Sequence, residues 1–166
     1  MILGMTVGAF TLLHVIITLV AIGSGLIVVG GMFASHRLPG TTALFLLTTA
    51  LTSVTGFLFP IHGFTPALGV GILACVILAV AVFALYKEHL VGAWRWIYVI
   101  TAIASLYLNV FVLVAQCFMK VSALNALAPT QSEPPFAITQ AAVLVIFILI
   151  GLIAVIKFRP VTAVRV

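Results

Sequence analysis

The sequence predicts an all-α integral membrane bundle of five transmembrane helices, and three observations carry that prediction. Hydrophobic residues make up 65% of the 166 residues, against about 45–50% in soluble globular chains. Charged residues supply only 5%, where roughly a quarter is usual, so they cannot coat a 17.5 kDa globule in water. The apolar residues also gather in five runs, each long enough to cross a hydrocarbon core of about 30 Å at 1.5 Å per residue. A mean hydropathy of +1.46 agrees. This balance excludes a soluble enzyme, a disordered chain and a secreted disulfide scaffold. A spanning segment must satisfy its own backbone hydrogen bonds, so near-continuous apolar runs mean helices, not the alternating ten-residue strands of a barrel.

The whole chain, 1–166, is read as one transmembrane domain. The first span is placed at 7–34. It has no basic leader and no small-residue cleavage site, so it is read as a retained span and not a signal peptide. At about 28 residues it would reach roughly 42 Å, so it must tilt, bend or protrude. Gly23-Ser24-Gly25 is the expected place for a bend. Leu38-Pro39-Gly40 breaks the chain before the second span, 41–59, and Pro60 with Gly63 breaks it before the third, 66–86. Pro66 suits a first helical turn, where a missing N–H is harmless. The fourth span, 92–119, opens on Trp94, Trp96 and Tyr98 around Arg95, an interfacial aromatic belt. The longer connection, 120–137, then leads to the fifth span, 138–158. In that connection Val121, Leu124 and Leu127, with Ala128, recur at helical spacing and predict a short amphipathic helix at the interface. Pro129 to Pro135 predicts an extended, stiff segment.

Basic residues orient the bundle. Arg37, Lys87, Arg95, Lys157, Arg159 and Arg165 all fall on one side of the five-span arrangement, and Lys120 alone on the other. The positive-inside rule then puts the N-terminus and the 120–137 loop outside and the C-terminus in the cytoplasm. The net charge of +5 therefore encodes topology and forms no basic face for nucleic acid. Cys75 and Cys117 lie far apart inside apolar runs, so they read as buried thiols, with no disulfide framework or zinc site.

No Asp, Glu, Lys or Arg lies near the centre of a span. A proton-driven carrier usually keeps ionisable side chains there, and a retinal protein would need a lysine. An HExxH metal motif is missing, and Gly23-Ser24-Gly25 offers no positioned base for an intramembrane serine nucleophile. What remains is neutral polarity with a helical pattern. Tyr98, Thr101, Ser105, Asn109 and Gln116 share one face of the fourth span. Thr41, Thr48, Thr52 and Thr55 form a stripe on the second, with Thr42, Thr49, Ser53 and Gly56 beside it. Thr11, His14 and Thr18 form a third on the first. Lipid would penalise such faces, so they should point inward. Threonine stripes are commonly helix-packing surfaces whose hydroxyls bond their own i−4 carbonyls. The amides of Asn109 and Gln116 demand more, either an interhelical bond or a ligand.

In this topology Thr11, His14, Thr52, Ser53, Thr55, Asn109 and Gln116 all belong to the outer half of the bilayer, beneath the loop. His14, Thr18, Thr52, Ser53, Asn109 and Gln116, with Glu133 of the loop, stand out among the polar residues there. They are the candidate lining of a polar cavity in the outer half of the bilayer, over which the loop is either a lid or a connector. Glu133 would then pair with Lys120 or reach toward His14. A haem b alternative rests on the four histidines, His14 with His62 outside and His36 with His89 inside, since membrane cytochromes hold haem between two imidazoles. The fit is imperfect, because only His14 lies well within a span. No metal site and no catalytic residue is expected.

The stretches Gly92-Ala93-Trp94-Arg95-Trp96-Ile97-Tyr98, Leu106-Tyr107-Leu108-Asn109-Val110-Phe111 and Ala128 through Phe136 resemble an uncharacterised family of small polytopic bacterial inner-membrane proteins. The resemblance runs from about Leu44 to Pro160. It implies a bacterial cytoplasmic membrane and carries over no activity, cofactor or functional residue. Three functions are thus expected to compete: binding of a lipid or small amphiphile without catalysis, a haem- or quinone-binding redox subunit, and a structural accessory subunit. Membrane lipids, other copies of the chain and a larger membrane complex are the expected partners, and nucleic acid is not.

Overall fold

Each apolar run becomes a helix in the computed structural model, which describes residues 1–60, 63 and 66–160. The order is α1 Val7–Phe33, α2 Pro39–Phe57, α3 Pro66–Val82, a single π turn Phe83–Lys87, α4 Trp94–Lys120, the short α5 Ser122–Leu127 and α6 Pro134–Lys157. Five of these stretches are long and apolar enough to cross a membrane. The architecture is all-α, as the composition predicts, and it is that of a multi-pass membrane protein.

Boundaries move by a few residues where prolines open helices. α2 starts at Pro39, and α6 starts at Pro134 with both prolines in its first turn. The expectation of an extended segment through Pro134-Pro135 is therefore corrected. A proline φ near −65° is already helical, and the first turn needs no N–H from it.

α4 is the central helix. In its most apolar window 44% of residues are buried, against 17% for α6, and it packs on α1, α3 and α6. Ile22, Val28 and Met32 of α1, Phe45 and Leu46 of α2, and Val99, Ile103 and Leu106 of α4 form the middle of the core. The outward faces carry Leu12, Ile16, Leu19, Val76, Ile146 and Leu149, all exposed. Such faces would aggregate in water and suit hydrocarbon.

Gly23-Ser24-Gly25 lies within one unbroken helix, and Gly25 is there for proximity. A Cβ on it would lie 2.7 Å from Leu106 Cδ1 and 2.9 Å from Phe45 Cε2, so α1, α2 and α4 meet at that point. Gly71 performs the same service under the Phe57 ring.

Polar side chains tie the helix ends. Arg95, in the first turn of α4, donates to the carbonyls of Val155 (2.9 Å) and Phe158 (2.6 Å) at the end of α6. Those carbonyls have no helical donor, and a cation there also faces the negative end of the helix dipole. At the other end three amides reach back to α4 carbonyls: Asn125 to Phe118 (3.2 Å), Gln131 to Ala115 (2.7 Å) and Gln140 to Phe111 (3.1 Å). With Ala128 fully buried and Phe118 and Phe136 edge to face at 5.4 Å, residues 120–137 are docked onto α4.

Glu133 organises the tip of that loop. Its carboxylate accepts from the Thr130 amide (3.1 Å), the Thr130 hydroxyl (2.9 Å) and the Ser132 amide (3.1 Å). Partial desolvation pushes its pKa up, but these donors outweigh it and hold the carboxyl below its ordinary value. A depressed pKa means that the loop contact is complete above the ordinary carboxylate range and lost as pH falls through the lowered value. Hydrogen-exchange protection at Thr130 and Ser132 should therefore drop in acid, and Glu133→Gln should show the acid behaviour at neutral pH.

Candidate functional site

The polar stripes do turn inward, and they are spent largely on one another. On the α1–α2 seam, His14 Nδ1 lies 2.7 Å from Thr55 Oγ1. One turn further along, the hydroxyls of Thr18 and Thr52 are 3.3 Å apart. Each of these threonines also has a carbonyl of its own helix: Thr18 has His14 O at 2.8 Å, Thr52 has Thr48 O at 2.9 Å and Thr55 has Leu51 O at 2.7 Å. A hydroxyl has one proton to give. With that of Thr55 on Leu51, His14 donates through Nδ1–H and keeps Nε2 as an acceptor. The imidazole is half-buried, stacked edge-on to Phe59 at 5.4 Å, with Gly56 beside its Cε1.

On the α2–α4 seam, Asn109 Nδ2 donates to Thr49 Oγ1 at 3.3 Å, with Thr49 fully buried and Asn109 7% exposed. Ser53 sits one turn beyond and bonds the Thr49 carbonyl at 3.2 Å. Interhelical bonds of this kind average about 0.6 kcal/mol in membranes, so these pairs fix which faces meet more than they stabilise the bundle. Ser105 is fully buried on the same α4 face, and its hydroxyl has no partner among the described residues.

The structure thus sets His14 against Thr55 and Thr18 against Thr52 on one seam, and Asn109 against Thr49 on the next, with Ser53 one turn from Thr49 and bonded within its own helix. These polar groups are engaged in direct contacts, where the sequence predicts the lining of a shared chamber. Gln116 is half-buried and makes no side-chain hydrogen bond among the described residues. Glu133 is taken up by Thr130 and Ser132, so its expected pairing with Lys120 or approach to His14 is not what the carboxylate does. Of the haem-ligand set, His36 and His89 are exposed at the opposite end of the bundle, and His62 lies outside the described residues. Arg165, which the charge count used, lies outside them too. Among the described residues no three His, Cys, Asp or Glu side chains converge on a metal position.

Two cavities lie away from these seams. An apolar groove of about 410 Å³ runs between α4 and α6, walled by Ile100, Ile103, Tyr107, Leu144, Phe147 and Leu152, with the small residues Ala104 and Gly151 letting it in. The rings of Tyr107 and Phe147 meet at 5.7 Å, tilted by 58°. A second cavity of about 210 Å³ lies at the Arg37 end, walled by Arg37, Pro39, Thr42, Leu85, Tyr86 and His89. Neither is visible as a pattern in the sequence. An apolar groove looks like any lipid-facing stripe, and the second cavity joins residues about fifty positions apart.

No family model, no curated protein and no solved structure matches the chain.

Proposed function

We propose that the chain is a non-enzymatic multi-pass protein of a bacterial cytoplasmic membrane that holds the acyl tail of a lipid, or another small amphiphile, between α4 and α6. In this reading the N-terminus is outside and the C-terminus cytoplasmic, the orientation that the distribution of Arg and Lys favours. It acts with other copies of itself or within a larger membrane complex. The observation that supports it is the groove. Its volume falls within the roughly 300–1,000 Å³ of small-molecule sites, its walls offer hydrocarbon and two aromatic rings, and it is recessed by Ala104 and Gly151. A chain of methylenes is the ligand such a surface favours, because it demands no hydrogen bond. The binding role expected of the polar stripes thus moves to an apolar seat, and the stripes hold the helices that form it.

Gly151 supplies the test. A Cβ there would meet only Ile103 Cγ2, at 4.0 Å, an ordinary contact. Gly151→Leu should therefore fill the groove without prising the helices apart. Native mass spectrometry of protein released from lipid nanodiscs should show a bound amphiphile on the wild type and at least a severalfold loss on the variant, with no loss of thermal stability. Equal retention by both would refute the reading.

A further inference from the structure

The cavity at the Arg37 end takes no part in that function, and its chemistry is different. We propose that it is a binding site for the phosphate of an anionic phospholipid headgroup. Arg37 is the principal ligand. Its side chain is exposed and makes one hydrogen bond among the described residues, from a terminal guanidinium nitrogen to the His89 carbonyl at 3.4 Å. It forms no ion pair among the described residues. A guanidinium has five N–H donors in a planar fork suited to phosphate oxygens, so most of its capacity remains unused.

His89 and Tyr86 line the cavity, and their side chains are of a kind that can donate to an anion. Thr42 lines it too, 2% exposed, with its one hydroxyl proton already on the Arg37 carbonyl at 2.9 Å. The first turn of α2 lies beside them, and its N-cap residue Leu38 contributes no side-chain hydrogen bond. The helix adds the field of its positive end and no free N–H on the wall, since Pro39 has none and the Thr42 N–H is on the Leu38 carbonyl at 2.8 Å. The walls are held in place by backbone that non-glycine residues seldom adopt. Leu38, His89 and Leu90 have φ of 42°, 52° and 64°, and the π turn Phe83–Lys87 sets Leu85 and Tyr86 toward the cavity. Such local geometry persists only where surrounding structure fixes it.

Position and size select a lipid headgroup as the occupant. Lys87, Arg95, Lys157 and Arg159 lie at this end of the bundle with Glu88 as the one acidic side chain among the described residues, and Trp94 and Trp96 mark the interfacial level. Basic pockets between spanning helices at such a level bind phospholipid headgroups. The volume of about 210 Å³ is below that of a site for a whole drug-sized ligand. It suits a phosphate and its glycerol, with the acyl chains left in the bilayer along Leu85 and Tyr86.

The full chain in nanodiscs of equal phosphatidylglycerol and phosphatidylcholine tests this by native mass spectrometry. The wild type should retain phosphatidylglycerol over phosphatidylcholine, and Arg37→Gln should cut that preference about fivefold, the effect of one cation at a membrane surface. Arg37→Lys should recover part of it. Gly151→Leu should leave the preference intact, which separates this site from the groove. Added inorganic phosphate should not displace the lipid, and displacement by millimolar phosphate would assign the cavity to a soluble anion and overturn the lipid assignment. A wild type with no headgroup preference, or a preference that survives Arg37→Gln, would overturn the site itself.

Discussion

Arg95→Gln is expected to destabilise the bundle by about 2–3 kcal/mol, because it removes two charge-assisted hydrogen bonds, each commonly contributing about 1.5–3 kcal/mol, with partial compensation by water. The effect should concentrate on α6. That helix has the most exposed apolar window of the five, packs on α4 and α1, and ends on carbonyls that Arg95 holds at 2.9 and 2.6 Å. The midpoint of thermal unfolding in mild detergent should fall, and protease should cut near Lys157 more readily before any general loss of helicity. Arg95→Lys should recover only part of the stability, since an ammonium cannot span two carbonyls with a planar fork. Val155 contributes both a carbonyl to this clamp and a wall to the α4–α6 groove, so amphiphile retention should weaken with the clamp. An unchanged midpoint in Arg95→Gln would show that α6 is held by its apolar contacts alone.

How much of this was legible from the chain differs by element. The five helices were, because a run of some twenty apolar residues has one physical solution in hydrocarbon. So was the inward turn of Thr42, Thr49, Ser105 and Asn109, because burying polarity away from lipid is a property of each helix taken singly. The short α5 was visible in the spacing of Val121, Leu124 and Leu127. What could not be read was pairing across helices. Whether Asn109 meets a ligand or Thr49 depends on how closely α2 and α4 approach, and Gly25 of α1, packed against Phe45 and Leu106, sets that approach from a third helix. The groove was hidden for a related reason: Ala104 and Gly151 are small residues on different helices, and only their juxtaposition makes a recess. Gln131 and Gln140 were missed as fasteners because their partners are backbone carbonyls, which leave no trace in residue identity. Arg37 counted in the sequence only as one of the charges that set the topology, and residue identity gave no sign that its side chain also walls a cavity.

The second large effect is expected at Gly25, and its sign should reverse two residues away. Any side chain at Gly25 begins with a Cβ 2.7 Å from Leu106 Cδ1 and 2.9 Å from Phe45 Cε2, inside the closest distance real Cβ atoms keep. Both neighbours are 1% exposed and sit in the middle of the core, so neither has space to retreat into. Overpacking of this kind commonly costs about 1–3 kcal/mol, and Gly25→Leu, which adds four carbons, should lie at the upper end. The separation it forces would also stretch the 3.3 Å bond between Asn109 and Thr49, since the same helices make both contacts. Gly23 is exposed, with nothing within 4 Å of its Cβ position. Gly23→Leu should therefore stabilise the bundle by up to about 0.8 kcal/mol, the helix-propensity difference between the two residues. Unfolding of the pair in the same detergent measures the contrast directly. If the two variants shift the midpoint alike, α1 does not present the Gly25 face to α2 and α4, and the seams that hold His14 and Asn109 fall with it.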